Sequence, residues 1–322
     1  MRLVAAILLL LAFSSCSDNK NNSPQEPVTT VTWSKIGDYT WPPREDGVST
    51  TSDGLVYMGY GKDENNLLLN DFWVIDPLKN TTEEVTGINT NKRELQLLDI
   101  NGRLFLIADQ QLSSFNMYEY DKVNDTWENR SNFTKEGIYY ITAAFSSGGK
   151  GYYIPTEGAN IWEYDPGTDQ WNKKSQVPGT TSRDTEIFEL NGKVYLYGLA
   201  GNLADKMYVY TPSSDSWETI TTEGGPNVES GFASLSVSNL GYVVMGGTVT
   251  TNAMGDPISS TITGGVWEYN PEMNKWLRKE DFPGVNRTRM FSFILEGSGY
   301  IGSGFNSNRQ FQTDLWGVSV LK

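Results

Sequence analysis

Histidine does not occur anywhere in the 322 residues of this sequence. Imidazole is the usual general base near neutral pH and the commonest metal ligand in proteins. Its absence excludes Ser-His-Asp and Cys-His catalysis, and it excludes histidine-ligated zinc or copper. The loop containing Asp63, Glu64 and Asn65 offers oxygen ligands but lacks the spacing of a known calcium loop. We therefore expect no metal site and no cofactor.

Cysteine and basic residues are also scarce. Cys16 is the single cysteine, so no disulfide can form within the chain. The 25 basic residues are outnumbered by 39 acidic residues, which gives a net charge of −14. Binding to a phosphate backbone needs a basic surface, so nucleic acid is not an expected partner. The acidic excess instead favours solubility.

One long apolar run lies at the amino terminus. Leu3–Phe13 follows Met1 and Arg2, and this run has the length of a secretory signal rather than of a membrane span. The small residues directly before Cys16 resemble a bacterial lipobox, which implies that residues 1–16 are a signal peptide and that Cys16 becomes lipidated. An ordinary secretory peptide with an incidental cysteine is the alternative.

Residues 17–30 show no apolar periodicity and predict a disordered tether. The acidic and amide residues after Cys16 resemble surface-export signals of Bacteroidetes lipoproteins. Several acyl chains on one residue give a stable anchor. The sequence therefore predicts an outer-membrane lipoprotein of the cell envelope, periplasmic or surface-exposed, whose membrane contact is the lipid anchor alone.

A sequence motif recurs along the chain. It consists of alternating aromatic and aliphatic residues, a polar turn and a tryptophan. Four copies occupy residues 117–127, 161–171, 207–217 and 266–276. A fifth copy at Phe72 lacks the final tryptophan, and a sixth at Leu315 stops at the chain end. The copies are 45, 44, 46, 59 and 49 residues apart, which is typical of the four-stranded blade of a propeller.

This pattern resembles the kelch family, whose repeats carry a Gly-Gly pair after the second strand and a tryptophan in the fourth. Gly246-Gly247 preserves the pair, which is degraded or absent in the other repeats. The resemblance covers residues 31–322 and implies one all-β domain, a six-bladed kelch-type β-propeller. Thr32–Asp38 has the pattern of a fourth strand with no strand before it, so we predict that this strand completes the last blade and closes the ring. A closed ring needs no partner, and we expect a monomer.

Aligning the repeats on their second strands places one recurring polar position near the start of each blade. It contains four arginines, a tyrosine and a glutamate: Arg44, Arg93, Tyr140, Arg183, Glu229 and Arg289. In kelch propellers, arginines at this place tend to surround one mouth of the central channel. Converging guanidinium groups could bind a carboxylate or sulfate through forked hydrogen bonds. The alternative is that they pair with neighbouring acidic residues, including Glu45 and Asp46, and only fix the start of each blade.

The resemblance extends to sialic acid mutarotases and, in fold only, to the central domain of galactose oxidase. The copper site of galactose oxidase needs histidines and a cysteine-linked tyrosine, so its activity is excluded here. We expect a binding module for an acidic glycan or a protein ligand at the central funnel. The first alternative is a mutarotase or epimerase of an acidic sugar, with Glu229 as the candidate catalytic residue. The second is a structural interaction module of an envelope complex.

The 59-residue interval marks an insertion at residues 248–263, between the second and third strands of blade five. Extra loops on rigid scaffolds often carry recognition, and in kelch domains this loop can lean over the arginine face. A tolerated insertion without function is the alternative. Tryptophans in the third strands, such as Trp162 and Trp267, recur with the repeat and are predicted to lie in the core rather than to form a sugar platform.

Overall fold

The computed structural model describes residues 29–90, 95–109, 114–134, 141–155, 159–181, 185–199, 205–226, 230–251 and 257–321. The predicted signal peptide, Cys16 and nearly all of the tether lie outside these residues. In the described part of the chain, no helix is long and apolar enough to cross a membrane.

Six four-stranded antiparallel sheets surround a central channel. The first strand of the chain, β1 (Thr30–Asp38), belongs to the last blade. Blade one contains β2 (Val48–Ser52), β3 (Leu55–Gly59), β4 (Phe72–Asp76) and β5 (Thr81–Val85). Blade two contains β6 (Leu95–Ile100), β7 (Arg103–Asp109), β8 (Ser114–Asp121) and β9 (Thr126–Thr134). Blade three contains β10 (Ile141–Ser147), β11 (Lys150–Pro155), β12 (Asn160–Asp165) and β13 (Gln170–Gln176).

The second half of the chain repeats this order. Blade four contains β14 (Glu186–Leu190), β15 (Lys193–Tyr197), β16 (Lys206–Thr211) and β17 (Ser216–Thr221), with a 3-10 turn at Pro212–Ser214. Blade five contains β18 (Ala233–Val237), β19 (Leu240–Val244), β22 (Val266–Asn270) and β23 (Lys275–Lys279). Its insertion forms a separate hairpin, β20 (Gly247–Thr251) and β21 (Pro257–Ile262). Blade six contains β24 (Phe291–Leu295), β25 (Ser298–Gly302), β26 (Asp314–Leu321) and β1.

The ring closes as the sequence predicts. β1 pairs antiparallel with β26, from Thr30 opposite Leu321 to Asp38 opposite Asp314. The innermost strands contact one another around the circle in the order β2, β6, β10, β14, β18, β24 and back to β2. Six blades are therefore confirmed, and the closing strand covers the edge of β26, which would otherwise be free to pair with another molecule.

Within each blade, a two-residue turn joins the innermost strand to the second strand. In all six turns both residues have positive φ, as in Asp53-Gly54 and Asn101-Gly102. Such type I′ turns match the twist of antiparallel strands, and they favour Asn, Asp and Gly. The residues flanking a two-residue turn form a hydrogen-bonded pair, and hydrogen-bonded pairs then alternate along the ladder. Alternate residues of each inner strand therefore turn their backbone N–H and C=O away from the second strand.

The turn between the third and fourth strands explains the Tyr-x4-Asp-x-Trp spacing of the repeat. In blade three, the Tyr164 hydroxyl donates to Asp169 at 2.7 Å, and Asp169 also accepts from the backbone N–H of Ser131 in blade two at 2.9 Å. The Trp171 indole N–H donates to the Ser131 carbonyl at 2.6 Å. The same turn residues tie blades two, four and five to the blade before them, through Asp125, Asp215 and Asn274.

The core lies between adjacent blades. The second strands are almost completely buried, and aromatic rings from neighbouring blades meet edge to face, as Phe72 does with Tyr120 at 5.3 Å between centroids. The third-strand residues Trp73, Trp162, Trp267 and Trp316 are half-buried and pack against these clusters. Their role in the blade packing agrees with the prediction from their period.

Candidate functional site

The central channel contains a cavity of about 670 Å³, a volume suited to a small ligand. Residues of all six inner strands line it. We call the end where the inner strands begin the mouth face, and the end with the two-residue turns the far face. The connections between second and third strands also lie on the mouth face.

Five charged residues from blades one and six meet on the mouth face, and we call them the mouth cluster: Glu45, Asp46, Lys62, Arg289 and Arg309. Glu45 is buried, and its carboxylate lies 3.2 Å from Lys62 Nζ, 3.3 Å from Arg309 Nη1 and 3.8 Å from Arg289 Nε. Asp46 accepts a hydrogen bond from Arg289 at 2.8 Å. The cluster has three cations and two anions, so it carries a net positive charge on an acidic protein.

Arg309 is the most exposed cation of the mouth cluster. Its guanidinium lies 4.0 Å from the ring centroid of Phe305 and 5.2 Å from that of Phe311. The two rings hold the guanidinium plane in place and shield one side of it from water, which strengthens its attraction for an anion. About half of its side chain, 47%, remains exposed.

Arg44 and Arg289 occupy different positions in the repeat, although the sequence alignment treats them as equivalent. The Arg44 side chain is fully buried and forms a forked pair with Asp71 at 2.9 and 2.5 Å, while its Nε donates to the Pro42 carbonyl. Its counterpart in blade six is Arg287, which is buried and pairs with Asp314 in the same way. Arg289 corresponds instead to Asp46, and both have φ near +57°.

The physical reason for this difference is register. Arg44 lies 13 residues before Tyr57, whereas Arg289 lies 11 residues before Tyr300. Two residues in an extended segment bring the side chain to a different depth, so one arginine enters the body of the blade and the other lines the channel. The pairing alternative therefore describes Arg44, whose partner is Asp71 rather than the adjacent acids, and it also describes Arg289, which pairs with Glu45 and Asp46 while it lines the channel.

The other four predicted residues of the ring, Arg93, Tyr140, Arg183 and Glu229, lie outside the described residues, as does Cys16. Their part in ligand binding stays a prediction, and so does the proposed catalytic role of Glu229. Among the residues that the structure describes, no group of three or more acidic or cysteine side chains is arranged to hold a metal ion.

Glu189 is a second charged feature of the channel, nearer the far face on β14. Its side chain is open to the channel, yet dense protein surrounds it, and this desolvation raises the pKa of the carboxyl to about 7. Within the described chain, the carboxyl forms neither a hydrogen bond nor an ion pair. Because the protein has no histidine, Glu189 is a rare group that can change charge near neutral pH.

Three serines connect neighbouring inner strands at one depth of the channel, and we call them the serine latches. Ser234 donates to the carbonyl of Ile187 at 2.6 Å, Ser292 to that of Ser234 at 3.0 Å, and Ser49 to that of Ser292 at 3.0 Å. Each latch thus satisfies a carbonyl of the preceding blade. These carbonyls belong to the alternate residues whose backbone groups point away from the second strand.

The latches cover only half of the circle. At the same depth, blades two, three and four carry Leu97, Ala144 and Ile187, which have no hydroxyl. Among the described residues, no serine latch reaches the carbonyls of Ser49, Leu97 and Ala144, and we call them the open carbonyls. All three residues line the cavity.

Sequence reasoning did not find Lys62, Arg309, Glu189 or the open carbonyls. Lys62 and Arg309 lie in connections between strands, where the repeat spacing is lost. Once the two-residue turns fix the register, the sequence shows serine in some blades and Leu97 or Ala144 in others at the same position. This difference indicates which carbonyls lack a serine partner. The insertion of blade five forms the β20–β21 hairpin at the predicted place.

Comparisons with known proteins agree with this architecture. No family model matches the chain. A mouse (Mus musculus) relative, Kelch-like protein 35, is 25% identical over 161 residues, which are 46% of this chain and 26% of the mouse protein. The match therefore spans about a quarter of that relative. A solved structure titled "Structure of YjhT" superposes with a TM-score of 0.71 at 12% identity, covering 89% of this chain and all of the other.

These likenesses, together with the repeats and the closed ring, define the class of protein. The chain has a six-bladed kelch-type β-propeller fold.

Proposed function

We propose that this protein is a lipid-anchored binding module of the cell envelope that takes an acidic ligand, a glycan or a segment of a protein, at the mouth of its channel. The open cavity with the mouth cluster at its entrance carries this proposal. Arg289 and Arg309 supply the planar donors that suit a carboxylate or sulfate. The buried Glu45 holds these side chains in position.

The direction of β1 supports the anchored orientation. β1 runs from Thr30 at the far face to Asp38 at the mouth face, because it is antiparallel to β26 and pairs Thr30 with Leu321. A tether that precedes Thr30 leaves the propeller from the far face. A lipid on Cys16 would therefore hold the protein with its mouth directed away from the membrane.

Binding can be tested by isothermal calorimetry of residues 28–322 with acidic and neutral sugars. We expect acidic sugars to bind, and Arg289→Ala with Arg309→Ala to weaken binding at least tenfold, which corresponds to about 1.4 kcal/mol. Arg278→Ala is the matched control, since Arg278 is a partly exposed arginine that pairs with Asp281 away from the channel. Equal loss in the control variant, or binding only of neutral sugars, would contradict the proposal.

The lipid anchor is tested separately. The full-length protein with Cys16→Ala should move from the membrane fraction to the soluble fraction after expression in a bacterial host, because the acyl attachment site is removed. An unchanged distribution between the two fractions would show that the protein is held by other means.

A second candidate function is sugar mutarotation or epimerisation. It is favoured by Glu189, since a carboxyl with a pKa of about 7 inside the channel can both accept and donate a proton near neutral pH. Glu229, the residue proposed from the sequence, lies outside the described residues. Polarimetry of acidic sugars with the wild-type protein and Glu189→Gln tests this function, and an unaltered rate in the variant would remove Glu189 from it.

A further inference from the structure

The channel offers two different kinds of polar group at different depths. The mouth cluster provides cations on the mouth face. Deeper in the channel, the open carbonyls and Glu189 provide acceptors. Cations bind anionic groups, and carbonyl or carboxylate oxygens bind hydroxyl or N–H donors. A ligand that satisfies both depths must have an anionic end and a stem rich in donors.

The distance between the two ends of the site follows from strand geometry. Arg289 lies six residues before the last residue of β24, and Glu189 lies one residue before the last residue of β14. The two therefore differ by five residue steps along equivalent inner strands. At about 3.3 Å per residue, this separation is about 16 Å along the channel. A ligand that spans this separation of backbone positions is longer than a single sugar ring.

The hydrogen-bonding groups of the lining favour a ligand that carries hydroxyl groups over a ligand with apolar side chains. At the depth of the serine latches the circle presents carbonyl oxygens to the channel, and the side chains there are three serines, Ala144, Leu97 and Ile187. Buried backbone carbonyls need donors, and a ligand that displaces water from the channel must replace the hydrogen bonds that water makes. A chain of sugars carries such donors on every unit.

We propose that the channel binds a linear acidic oligosaccharide end-on, with a carboxylate or sulfate at Arg289 and Lys62 and with hydroxyls on the open carbonyls and Glu189. This inference rests on the proposed binding function and specifies its ligand. The open carbonyls place the sugar stem against blades one, two and three. The latched carbonyls of blades four, five and six are already satisfied and form the opposite wall.

A length series tests the inference directly. Glucuronic acid alone, and linear oligosaccharides with one terminal glucuronic acid on a neutral stem of one, two or three glucose units, are titrated by calorimetry into residues 28–322. We expect the affinity to rise at least tenfold from the monomer to the trimer and then to level off, because the trimer reaches the deep acceptors. Equal affinity for all lengths would contradict the end-on arrangement while leaving binding at the mouth intact. An absence of binding at every length would overturn both this inference and the proposal of a glycan ligand.

The open carbonyls can be closed by one substitution. Ala144→Ser places a hydroxyl where the latch residues have theirs, facing the carbonyl of Leu97, and it should weaken trimer binding at least fivefold without changing monomer binding. Ser292→Ala is the opposite control, since it opens the Ser234 carbonyl on the latched wall and should not weaken the trimer. The inference is overturned if Ala144→Ser leaves trimer affinity unchanged in a variant whose thermal unfolding matches the wild type.

Glu189 supplies a readout that a purely structural role would not give. The oligosaccharide excludes water from the carboxyl, so binding favours the protonated form, whose carbonyl oxygen still accepts a sugar hydroxyl and whose O–H donates to a sugar oxygen. The other charged groups that line the channel are Glu186 on the same strand and, near the mouth, Asp46, Lys62 and Arg289. We expect trimer affinity to fall about fivefold from pH 6 to pH 8 in the wild type and to be constant in Glu189→Gln. The same slope in both proteins would exclude Glu189 from the site.

Discussion

At the scale of single residues, the recurring Asp or Asn of the turn between third and fourth strands does three things at once. In blade three, Asp169 adopts a positive φ of 54°, accepts the Tyr164 hydroxyl and accepts the Ser131 N–H of the preceding blade. Asn274 occupies the equivalent place in blade five and accepts the Tyr269 hydroxyl at 2.9 Å. The Tyr-x4-Asp pattern is therefore a contact between blades rather than a turn signal alone.

Asp169→Ala should destabilise the propeller by about 2–3 kcal/mol. It leaves the Tyr164 hydroxyl and the Ser131 N–H without an acceptor, and it places an alanine, which disfavours this conformation, at positive φ. Asp169→Asn should cost much less, since the amide oxygen can accept and Asn tolerates this conformation. Urea unfolding of both variants checks the difference. Equal losses would show that the charge, not the hydrogen-bond geometry, matters at this position.

Because of the Asp169 carboxylate, we expect the stability of the propeller to depend on pH in the acidic range. Burial alone would raise the pKa of Asp169, but hydrogen bonds from Ser131 and Tyr164 outweigh it and lower the pKa in the folded state. A lowered pKa contributes stability above the unfolded value, near pH 3.9, and that stability is lost as pH falls through the folded pKa. Asp169→Asn should lack this part of the loss. Urea unfolding at pH 5 and pH 3 measures it, and parallel losses in both proteins would contradict the assignment.

The pKa of Glu189 is shifted in the opposite direction to that of Asp169, so its effect on stability also has the opposite dependence on pH. Desolvation raises the pKa of its carboxyl to about 7, so the charged form is disfavoured in the folded protein. Stability is unaffected below the unfolded value near pH 4.3 and decreases as pH rises to about 7. Glu189→Gln should therefore gain about 1 kcal/mol at pH 8 and little at pH 4.5, after allowance for water in the channel. Thermal melts at both pH values, with Glu218→Gln as an exposed control, test this; a gain that is equal at the two pH values would contradict it.

At the scale of strands and their connections, the closing strand β1 has the clearest consequence. It supplies the fourth strand of blade six, and Thr29 just before it hydrogen-bonds to the buried Glu268 of blade five at 2.6 Å. The amino-terminal segment therefore joins two blades. Its removal exposes the edge of β26 and part of the core between blades.

A protein that begins at residue 39 should unfold at least 10 °C below one that begins at residue 28, and it should form aggregates through the free edge of β26. The stability change is large because an eight-pair ladder and the packing of Trp33 on Phe282 are lost together. Thermal melts and size-exclusion chromatography measure both effects. A truncated protein that stays monomeric with the same melting temperature would show that the ring does not depend on β1.

The forked arginine–aspartate pairs act at the same scale, because each joins the start of a blade to its third strand. Arg287 pairs with Asp314, whose second oxygen also accepts the Trp316 indole N–H at 2.8 Å. Arg287→Met leaves a partly buried carboxylate unpaired and should cost about 3–5 kcal/mol. Arg287→Met combined with Asp314→Leu should recover most of that loss. Urea unfolding of the single and double variants compares them, and a double variant as unstable as the single one would contradict this account.

At the scale of the whole molecule, the six-fold architecture is readable from the sequence because every blade repeats the same local chemistry. The spacing of tryptophans, the polar turns and the orphan fourth strand at Thr32–Asp38 together specify the number of blades and their closure. Local patterns of this kind survive divergence because each repeat must pack against its neighbours.

The site is less readable because it depends on differences between blades. Arg44 and Arg289 are two residues out of register, and such a shift is hidden by loops of unequal length before the inner strands. Lys62 and Arg309 reach the mouth only through the course of their loops. Glu189 looks like an ordinary surface residue until the closed ring surrounds it with protein, while its side chain stays open to the channel.

A crystal structure of residues 28–322 with a linear trisaccharide that carries a single, terminal glucuronic acid is the most direct test of end-on binding. We expect sugar density inside the channel, with a carboxylate at Arg289 and Lys62 and hydroxyls on the open carbonyls of blades one to three. Sugar bound on the outer surface of the propeller, with the channel filled by water, would contradict it.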